Sequence, residues 1–297
     1  MLNNQQKSSI EHWLGELRSI FIDESPALLG LYDIYAAEAL FGRRYIDHDI
    51  NRLSHRARVL EVGAGSLLLS CQLVREGYQV TALEPIGSGF THFDQMRQIV
   101  LSKARSTGCC PEILNLPAEA FDANACFDYA FSVNVMEHVD DVGRVLENVG
   151  KSLTPGAIYR FTCPNYLFPY EPHFNMPTLF SKRLTEKFFK SRILGDQTIP
   201  DPSGTWDSLN WINIVQVSSH IRRLPWLAVE FNRKMLVSSL ERVAIDPNFA
   251  SRRSSGMRRF LLALVSLKIH HLFGLIPAHF HPIMDCRIEK ITSTRCY

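Results

Sequence analysis

The sequence lacks the features that mark several broad classes of protein. Its 297 residues contain 32 Lys and Arg against 30 Asp and Glu, and a net charge of +2 creates no strong field for nucleic acid. The seven cysteines form no C-x-x-C pair, and an odd number in a long chain is not typical of a disulfide framework. We also find no repeat, low-complexity tract or secretory signal. These absences predict a cytoplasmic globular protein that binds no nucleic acid.

The composition that remains, 46% hydrophobic and 21% charged, is ordinary for a folded globular chain. Its patterns divide the chain into four regions. Residues 1–57 are expected to form an N-terminal helical cover, and residues 58–163 a cofactor-binding core. Residues 164–226, rich in proline and aromatic side chains, are expected to form a substrate insertion. Residues 227–297 contain further strands and a basic, apolar helix that complete the sheet.

Short apolar runs alternate with helical patterns in the second region. This alternation predicts an α/β fold, a doubly wound Rossmann-like and mostly parallel sheet with N-terminal helices and an insertion over its carboxyl edge. Two more strands are expected at Leu227–Phe231 and Asp285–Ile291. The predicted strands of the second region begin at Val59, Gln79, Glu112, Phe127 and Ala157.

Serine, proline and glycine predict where helices begin and end. Ser25 and Pro26 separate two amphipathic patterns near the N-terminus, and Gly42 is expected to close the second. After the first strand of the sheet, Ser66 is expected to cap a helix that Gly77 ends.

The strongest chemical signal is a glycine turn between a strand and a helix. Gly63 and Gly65 let a ligand approach the backbone, and the helix that follows presents unpaired N–H groups. Glu84 ends the next strand, where a carboxylate can accept both hydroxyls of a ribose. A dinucleotide fingerprint would need glycine at position 68, which is Leu68. Glu61, two residues before the first glycine, instead suits a ligand with an ammonium group, such as S-adenosylmethionine.

Five motifs in the 59–163 stretch carry a family resemblance. They are Glu61-Val62-Gly63-Ala64-Gly65, Ala82-Leu83-Glu84-Pro85, Leu116-Pro117-Ala118-Glu119, the run from Phe127 to Val139, and Ser152-Leu153-Thr154-Pro155-Gly156. In this order they resemble the class I S-adenosylmethionine-dependent methyltransferases, in particular the type 11 group that includes ubiquinone-biosynthesis methyltransferases.

The resemblance implies a seven-stranded sheet and S-adenosyl-L-methionine as cofactor. Glu119 would flank the adenine, although an exposed acid is an equal reading. Asn134 either contacts the cofactor or caps the helix that follows. One position departs from the family pattern, since Leu67 stands where a third glycine is common.

Two histidines are candidates for the chemistry. His138 follows the fourth strand, where it either lies near the methyl group or bonds the backbone at a helix entry. His173 lies in the insertion and is ranked ahead of His138 as a general base, with a plain loop histidine as the alternative. His48 has no second group of ligands at suitable spacing, so no metal site is assigned.

The C-terminal region combines positive charge with an apolar stretch. Phe260–Leu267 is strongly apolar, but Lys268, His270 and His271 interrupt it before the ~18 residues that a membrane-spanning helix needs. Residues 258–276 are therefore expected either to contact the inner face of a membrane peripherally or to form a buried core helix or a dimer contact. The sequence does not decide the oligomeric state.

The function expected from these patterns is S-adenosylmethionine-dependent methyl transfer to an oxygen of a small-molecule, sugar or lipid-linked acceptor. Two alternatives remain open at this point. One is an NAD-dependent oxidoreductase on the same architecture, and the other is a non-catalytic module that keeps the fold for binding.

Overall fold

A computed structural model describes residues 9–85, 91–197, 199, 201–246, 250 and 255–292, without the side chains of 91–93. The chain forms two compact units. The first unit comprises Met1–Val133, Glu147–Arg160 and Glu289–Tyr297, and the second comprises Asn134–Leu146 and Phe161–Ile288. The four regions predicted from the sequence do not coincide with these two units. The boundaries of the four regions stay a prediction.

Seven strands form one sheet in the order β3-β2-β1-β4-β5-β9-β8. The central strand β1 pairs in parallel with both neighbours, Val59 lying opposite Val80 of β2 and Tyr129 of β4. The predicted doubly wound, mostly parallel sheet is confirmed. A two-stranded antiparallel hairpin, β6-β7, is separate from it. The strands are β1 Arg58–Val62, β2 Gln79–Leu83, β3 Glu112–Leu114, β4 Phe127–Val133, β5 Leu153–Pro164, β6 Tyr170–Glu171, β7 Met176–Pro177, β8 Leu227–Phe231 and β9 Ile283–Lys290.

Helices alternate with the strands and occupy most of the N- and C-terminal regions. The α-helices are α1 Ile10–Glu24, α2 Leu29–Ile50, α3 Leu68–Arg75, α4 Thr91–Ser106, α5 Val142–Ser152, α6 Lys182–Leu194, α7 Pro202–Ser208, α8 Ile214–Arg222, α9 Lys234–Ile245 and α10 Ser255–Ser266. Short 3-10 helices span Pro26–Leu28, Ala118–Ala120, Ile269–Leu275 and Ala278–Phe280.

The N-terminal helices of the first unit correct one predicted boundary. The break at Ser25 and Pro26 is confirmed, but α2 continues through Gly42 to Ile50 instead of ending at the glycine. A Cβ atom at Gly42 would lie 2.9 Å from Cδ2 of Leu69 in α3. The glycine therefore permits close helix packing rather than ending a helix.

The predicted cap at the start of α3 is also wrong. The helix begins at Leu68 with Leu67 as its N-cap, and no side chain caps it, whereas Gly77 follows its end as predicted. Leu67 has a left-handed φ of 66°, a conformation that costs a leucine about 1–2 kcal/mol. Its side chain is completely buried, and that burial offsets the backbone cost. The sequence pattern could not show this, because leucine rarely adopts a positive φ.

The aromatic residues of the insertion form a small core within the second unit. Trp206 is 2% exposed and Phe174 is 1% exposed, and their rings meet edge to face with centroids 5.7 Å apart. Tyr166 stacks on Trp211 at 4.3 Å. Because Trp206, Phe174 and Tyr166 are buried, their aromatic surface is used in packing within residues 164–226.

The C-terminal stretch of the second unit exposes apolar surface. No residue of α10 is buried, and Phe260 is 58% exposed, so the buried-helix reading does not hold for Ser255–Ser266. Leu272 and Leu275 in the following 3-10 helix are also exposed. Arg252, Arg253 and Arg295 lie outside the described residues. Among the residues that are described, no helix has the length and apolar character needed to cross a membrane.

Candidate active site

The glycine turn of the first unit has the backbone that its sequence predicts. Gly63 and Gly65 both have positive φ angles, 74° and 49°, which glycine adopts at little cost. The N–H groups of Gly63 and Ala64 donate to the carbonyl of Leu83 at the end of β2, at 2.8 and 3.3 Å. These bonds fix the turn against the strand end that carries Glu84.

Glu84 lies directly against the turn. Its Oε2 accepts a hydrogen bond from the Gly65 N–H at 2.8 Å. Burial raises the pKa of Glu84, while the bond from Gly65 and the charge of Arg97 oppose that rise. Arg97, on α4, donates to the carbonyl of Gly65 at 3.1 Å and lies 3.9 Å from Oε1 of Glu84. Arg97 could not be identified from the sequence, because nothing in its local pattern separates it from other helical arginines.

Glu61 is a buried carboxylate beside the same turn. Its Oε2 accepts a hydrogen bond from Ser70 Oγ of α3. Burial raises the pKa of Glu61 to about 8, the Ser70 bond lowers it, and the charge of Glu84 raises it further. A carboxyl group in this environment favours either a proton or a positively charged ligand close to it.

The other two predicted cofactor contacts, Glu119 and Asn134, lie in different units. In the first unit, the carbonyls of Ala118 and Glu119 both accept a hydrogen bond from Nδ2 of Asn148, at 3.2 and 2.9 Å. These bonds fix the segment that is expected to flank adenine. In the second, Asn134 has a left-handed φ of 54°, and its N–H donates to the carbonyl of Thr162 at 2.8 Å. Neither observation tests the cofactor contacts assigned to Glu119 and Asn134, which stay predictions.

The second unit fixes the tautomer of His138. Oγ of Ser208 donates to the carbonyl of Thr205 at 2.8 Å, so its hydrogen is engaged there. Nδ1 of His138, 2.8 Å from Ser208 Oγ, is therefore the donor, and Nε2 carries the lone pair of the neutral ring. Burial, assisted by the charges of His173 and Lys182, lowers the pKa of His138 to about 3.

His173 is oriented by a buried carboxylate. Its Nδ1 lies 2.6 Å from Oε1 of Glu171, which is fully buried and also accepts from the Tyr166 hydroxyl at 3.1 Å. The other oxygen of Glu171 accepts from the Phe174 N–H at 2.6 Å. Because a carboxylate only accepts, Nδ1 of His173 donates and Nε2 again carries the lone pair.

The two histidines lie together, 35 positions apart in sequence, with ring centroids 5.4 Å apart. Sequence analysis singled out both rings but gave no role to Glu171 or to the buried Glu137 beside His138. A signal was present for Glu171, since a carboxylate two residues before a histidine can reach its ring. Nothing in the linear sequence brings Glu137 to His173.

Comparison with known proteins identifies the family. Residues 37–192 match the family described as a methyltransferase domain. The chain is 45% identical over 287 residues to an uncharacterised protein of Mycobacterium tuberculosis (strain H37Rv), covering 97% of both. It is 32% identical over 121 residues to a ubiquinone biosynthesis O-methyltransferase of Paramagnetospirillum magneticum, covering 41% of this chain and 45% of that protein.

Solved structures of similar architecture include an S-adenosylmethionine-dependent methyltransferase from Mesorhizobium loti. The TM-score is 0.48 at 14% identity, covering 80% of this chain and 93% of that one. The fold assignment here rests on the strand order of the sheet itself.

The chain thus belongs to the methyltransferase-domain family. It is an S-adenosylmethionine-dependent methyltransferase, as the motif order predicts. The residues of the first unit fit this cofactor. Two carboxylates, Glu61 and Glu84, flank a turn in which both glycines have left-handed φ angles. The cofactor has an ammonium group, a sulfonium and two ribose hydroxyls, and carboxylates suit such groups.

Proposed function

We propose that the enzyme methylates a hydroxyl oxygen and that Nε2 of His173 accepts the proton of that hydroxyl. The observation that carries the proposal is the contact between Glu171 and His173, 2.6 Å from Oε1 to Nδ1. The carboxylate holds the ring in the tautomer with a basic Nε2 and stabilises the positive charge that the ring gains. A hydroxyl needs such a base, because it is a poor nucleophile while protonated.

The environment of each ring supports His173 over His138 as the base. With a pKa of about 3, His138 is neutral near pH 7 and a weak proton acceptor. His173 has a carboxylate partner, whereas Nδ1 of His138 has only the neutral hydroxyl of Ser208. In the proposed reaction His138 contacts the acceptor without taking its proton.

The cofactor contacts in this proposal belong to the first unit. Glu61 accepts the ammonium group and Glu84 the ribose hydroxyls, while Gly63 and Gly65 allow close approach to the backbone. Glu119 flanks the adenine, and Asn134 stays a predicted cofactor contact. When bound, S-adenosylmethionine supplies an activated methyl group on a sulfonium.

An acceptor screen tests the oxygen assignment. The enzyme is incubated with methyl-labelled cofactor and matched pairs of acceptors, a catechol or sugar alcohol in one arm and the corresponding amine in the other. We expect label on oxygen in at least one hydroxyl compound, with mass spectrometry locating the methyl group. Transfer to amines alone would contradict the proposal. The similarity to an O-methyltransferase of Paramagnetospirillum magneticum supports the choice of atom.

The exposed apolar residues of the C-terminal region support a lipid-linked acceptor and a cytoplasmic enzyme that contacts the membrane peripherally. Phe260, Leu267 and Leu275 are 58%, 68% and 74% exposed, and Arg258 and Arg259 lie beside them in sequence. Apolar side chains flanked by cations favour an anionic membrane surface.

Vesicle sedimentation tests this membrane contact. We expect binding to vesicles with anionic lipids that weakens as salt rises, and reduced binding in Phe260→Ser. The matched control is Phe180→Ser, which alters an exposed phenylalanine outside 258–276. Equal binding of the wild type to neutral and anionic vesicles, or none to either, would contradict the membrane proposal.

A further inference from the structure

A buried tyrosine of the second unit completes a chain of hydrogen bonds that ends at His173. The hydroxyl of Tyr166 donates to Oε1 of Glu171 at 3.1 Å, and the same oxygen accepts from Nδ1 of His173 at 2.6 Å. Both Tyr166 and Glu171 are buried. Two donors therefore share one carboxylate oxygen away from water, where a hydrogen bond is stronger than it is at the surface.

Tyr166 can serve this chain only as a donor. Burial raises the pKa of its hydroxyl, and the charges of Glu171 and Glu137 raise it further. The hydroxyl therefore keeps its proton at and well above neutral pH. The backbone of the residue is fixed as well, because the Tyr166 N–H donates to the carbonyl of Ile212 at 3.0 Å.

Trp211 covers the ring of Tyr166 from a strained backbone. The two rings stack with centroids 4.3 Å apart and planes 14° apart. Trp211 has a left-handed φ of 63°, which is rare for a bulky residue. Such strain persists where neighbouring contacts fix the chain, and here the Ile212 N–H donates to Oδ1 of Asn210 at 3.0 Å. The contacts on either side of Trp211 therefore hold its ring against the tyrosine.

Asn210 also fixes the loop that carries His138. Its Nδ2 donates to the carbonyls of Met136 and Val139, at 2.7 and 2.8 Å, on either side of that histidine in sequence. One short stretch of chain therefore supports both histidine rings, the second of them through Tyr166. The left-handed turn lies between the two supports.

We propose that Tyr166 is a positioning residue for His173: its hydroxyl holds the Glu171 carboxylate against the ring and draws charge from the oxygen that faces Nδ1. The inference rests on the proposed function for the role of His173 as general base. In that role Nε2 takes the proton of the acceptor hydroxyl and then releases it to solvent. A carboxylate without the tyrosine would stabilise the protonated ring more strongly and hold this proton longer. Donation by Tyr166 keeps the ring a base near neutral pH.

Other groups next to His173 also carry charge or titrate. Beyond Tyr166 and Glu171 they are Glu137, His138, Lys182 and Arg192. Glu137 and His138 bring polar side-chain atoms within 4.8 Å of a ring nitrogen of His173. Lys182 acts on His138, and Arg192 donates to a carbonyl two residues after His173. All four stay unchanged in the variants below, so a shift at His173 comes from the tyrosine or its carboxylate partner.

Histidine titration by NMR tests the proposal without an acceptor. The Cε1–H signal of His173, assigned by its loss in His173→Ala, is followed against pH in the full chain. Tyr166→Phe should move the titration midpoint of His173 to higher pH by about half to one pH unit, because Glu171 keeps the charge that the hydroxyl draws away. Tyr170→Phe is the matched control, since the Tyr170 hydroxyl also donates to a side chain five residues on, Oδ1 of Asn175 at 2.7 Å. The control should leave the midpoint unchanged.

A second variant shows whether Tyr166 acts through the carboxylate. Glu171→Gln removes the charge beside Nδ1, so it should move the midpoint of His173 to lower pH. Adding Tyr166→Phe to Glu171→Gln should then produce little further shift. Shifts of opposite sign from two changes to the same buried contact cannot come from a common loss of folding. A cooperative urea transition in each variant checks the fold directly.

Turnover on an acceptor found in the screen provides another readout. In Tyr166→Phe the acid limb of the kcat profile should move to higher pH, with turnover close to the wild type at alkaline pH. A loss by the same factor at every pH would show a merely structural role and overturn the proposal, and so would an unchanged midpoint of His173. If the screen finds methyl transfer to amines alone, the oxygen assignment fails, whereas a raised midpoint in Tyr166→Phe still shows that Tyr166 sets the basicity of His173.

Discussion

Two buried glutamates, one in each unit, have opposite surroundings. Glu171 of the second unit accepts from a backbone N–H and a tyrosine hydroxyl and contacts His173. Glu61 of the first unit has a hydrogen bond from Ser70, lies near the negative charge of Glu84, and has a pKa raised to about 8. Glu171 therefore has three hydrogen-bond donors within the protein, whereas Glu61 gains most from a positively charged ligand.

The difference separates two ways of using a buried acid. A carboxylate whose oxygens are engaged by donors is rigid, and it can orient a histidine for proton transfer. A buried carboxylate with few donors lowers the stability of the unliganded fold. The binding of a cation beside it offsets this loss of stability. The comparison predicts that variants of the second unit change turnover, and that variants of the first unit change cofactor affinity and the pH dependence of stability.

The largest effect is expected at His173. Its replacement by alanine should lower kcat on the order of 10²–10⁴-fold, because the acceptor hydroxyl loses its base. Affinity for S-adenosylhomocysteine, measured by calorimetry, should hardly change. The matched control is His48→Ala, which removes a ring that is 67% exposed. Full turnover of His173→Ala would contradict the assignment of His173 as the general base.

At Glu84 we expect loss of cofactor affinity with little change in kcat at saturation. Glu84→Ala removes the proposed hydrogen-bond acceptor for the ribose hydroxyls. The loss should weaken the binding free energy by ~1–3 kcal/mol, which raises Kd roughly 5–150-fold. Glu84→Gln keeps an oxygen that can accept from the Gly65 N–H, so it separates loss of charge from loss of the turn contact. Calorimetry that gives wild-type affinity for Glu84→Ala would exclude the ribose contact.

The pH dependence of stability tests Glu61. Its folded pKa of about 8 lies above the ordinary 4.5, so the folded state binds the extra proton between these values and its stability falls as pH rises through them. The slope should reach at most about 1.4 kcal/mol per pH unit in urea unfolding without cofactor. Glu61→Gln should flatten this dependence, and saturating S-adenosylhomocysteine should reduce it in the wild type. A slope of the same size in the variant would assign the effect to another group.

The smallest effect concerns the left-handed leucine of the first unit. Leu67→Ala loses the buried side chain but keeps the strained backbone, and Leu67→Gly loses the same side chain and relieves the strain. Glycine should therefore be the less destabilising of the two by about 1 kcal/mol, although glycine is normally the worse residue next to a helix interior. Urea unfolding of both variants measures the difference. A more stable alanine variant would show that this φ carries no cost.

Local patterns predicted much of the fold. The strand Leu227–Phe231 and the alternation between residues 58 and 163 agree with the structure, because period-two and helical spacing reflect burial within each element. The wrong boundaries include Gly42, where close packing of α2 on Leu69 of α3 overrides the tendency of glycine to end a helix. At Ser66 the helix starts one residue later than a serine cap requires, with Leu67 as its N-cap. The fifth strand is also longer than predicted, since β5 begins at Leu153 and not at Ala157.

Prediction of the site was uneven for a similar reason. Gly63, Gly65, Glu61 and Glu84 could be found because one βαβ unit places them at fixed distances along the chain. Arg97 could not, since its contact with the Gly65 carbonyl depends on how α4 packs. The sequence indicated His138 and His173 as two separate candidates. It gave no role to the neighbouring carboxylates Glu137 and Glu171.

The sequence by itself determined the fold class, the methyltransferase family and the position of the glycine turn between β1 and α3, because these depend on patterns within short segments. Only the tertiary structure decided that Glu137 and His138 meet His173, and that Ser208 fixes the tautomer of His138. Such contacts join residues 35 to 70 positions apart. Their formation depends on the burial of whole elements, and no spacing in the linear sequence encodes it.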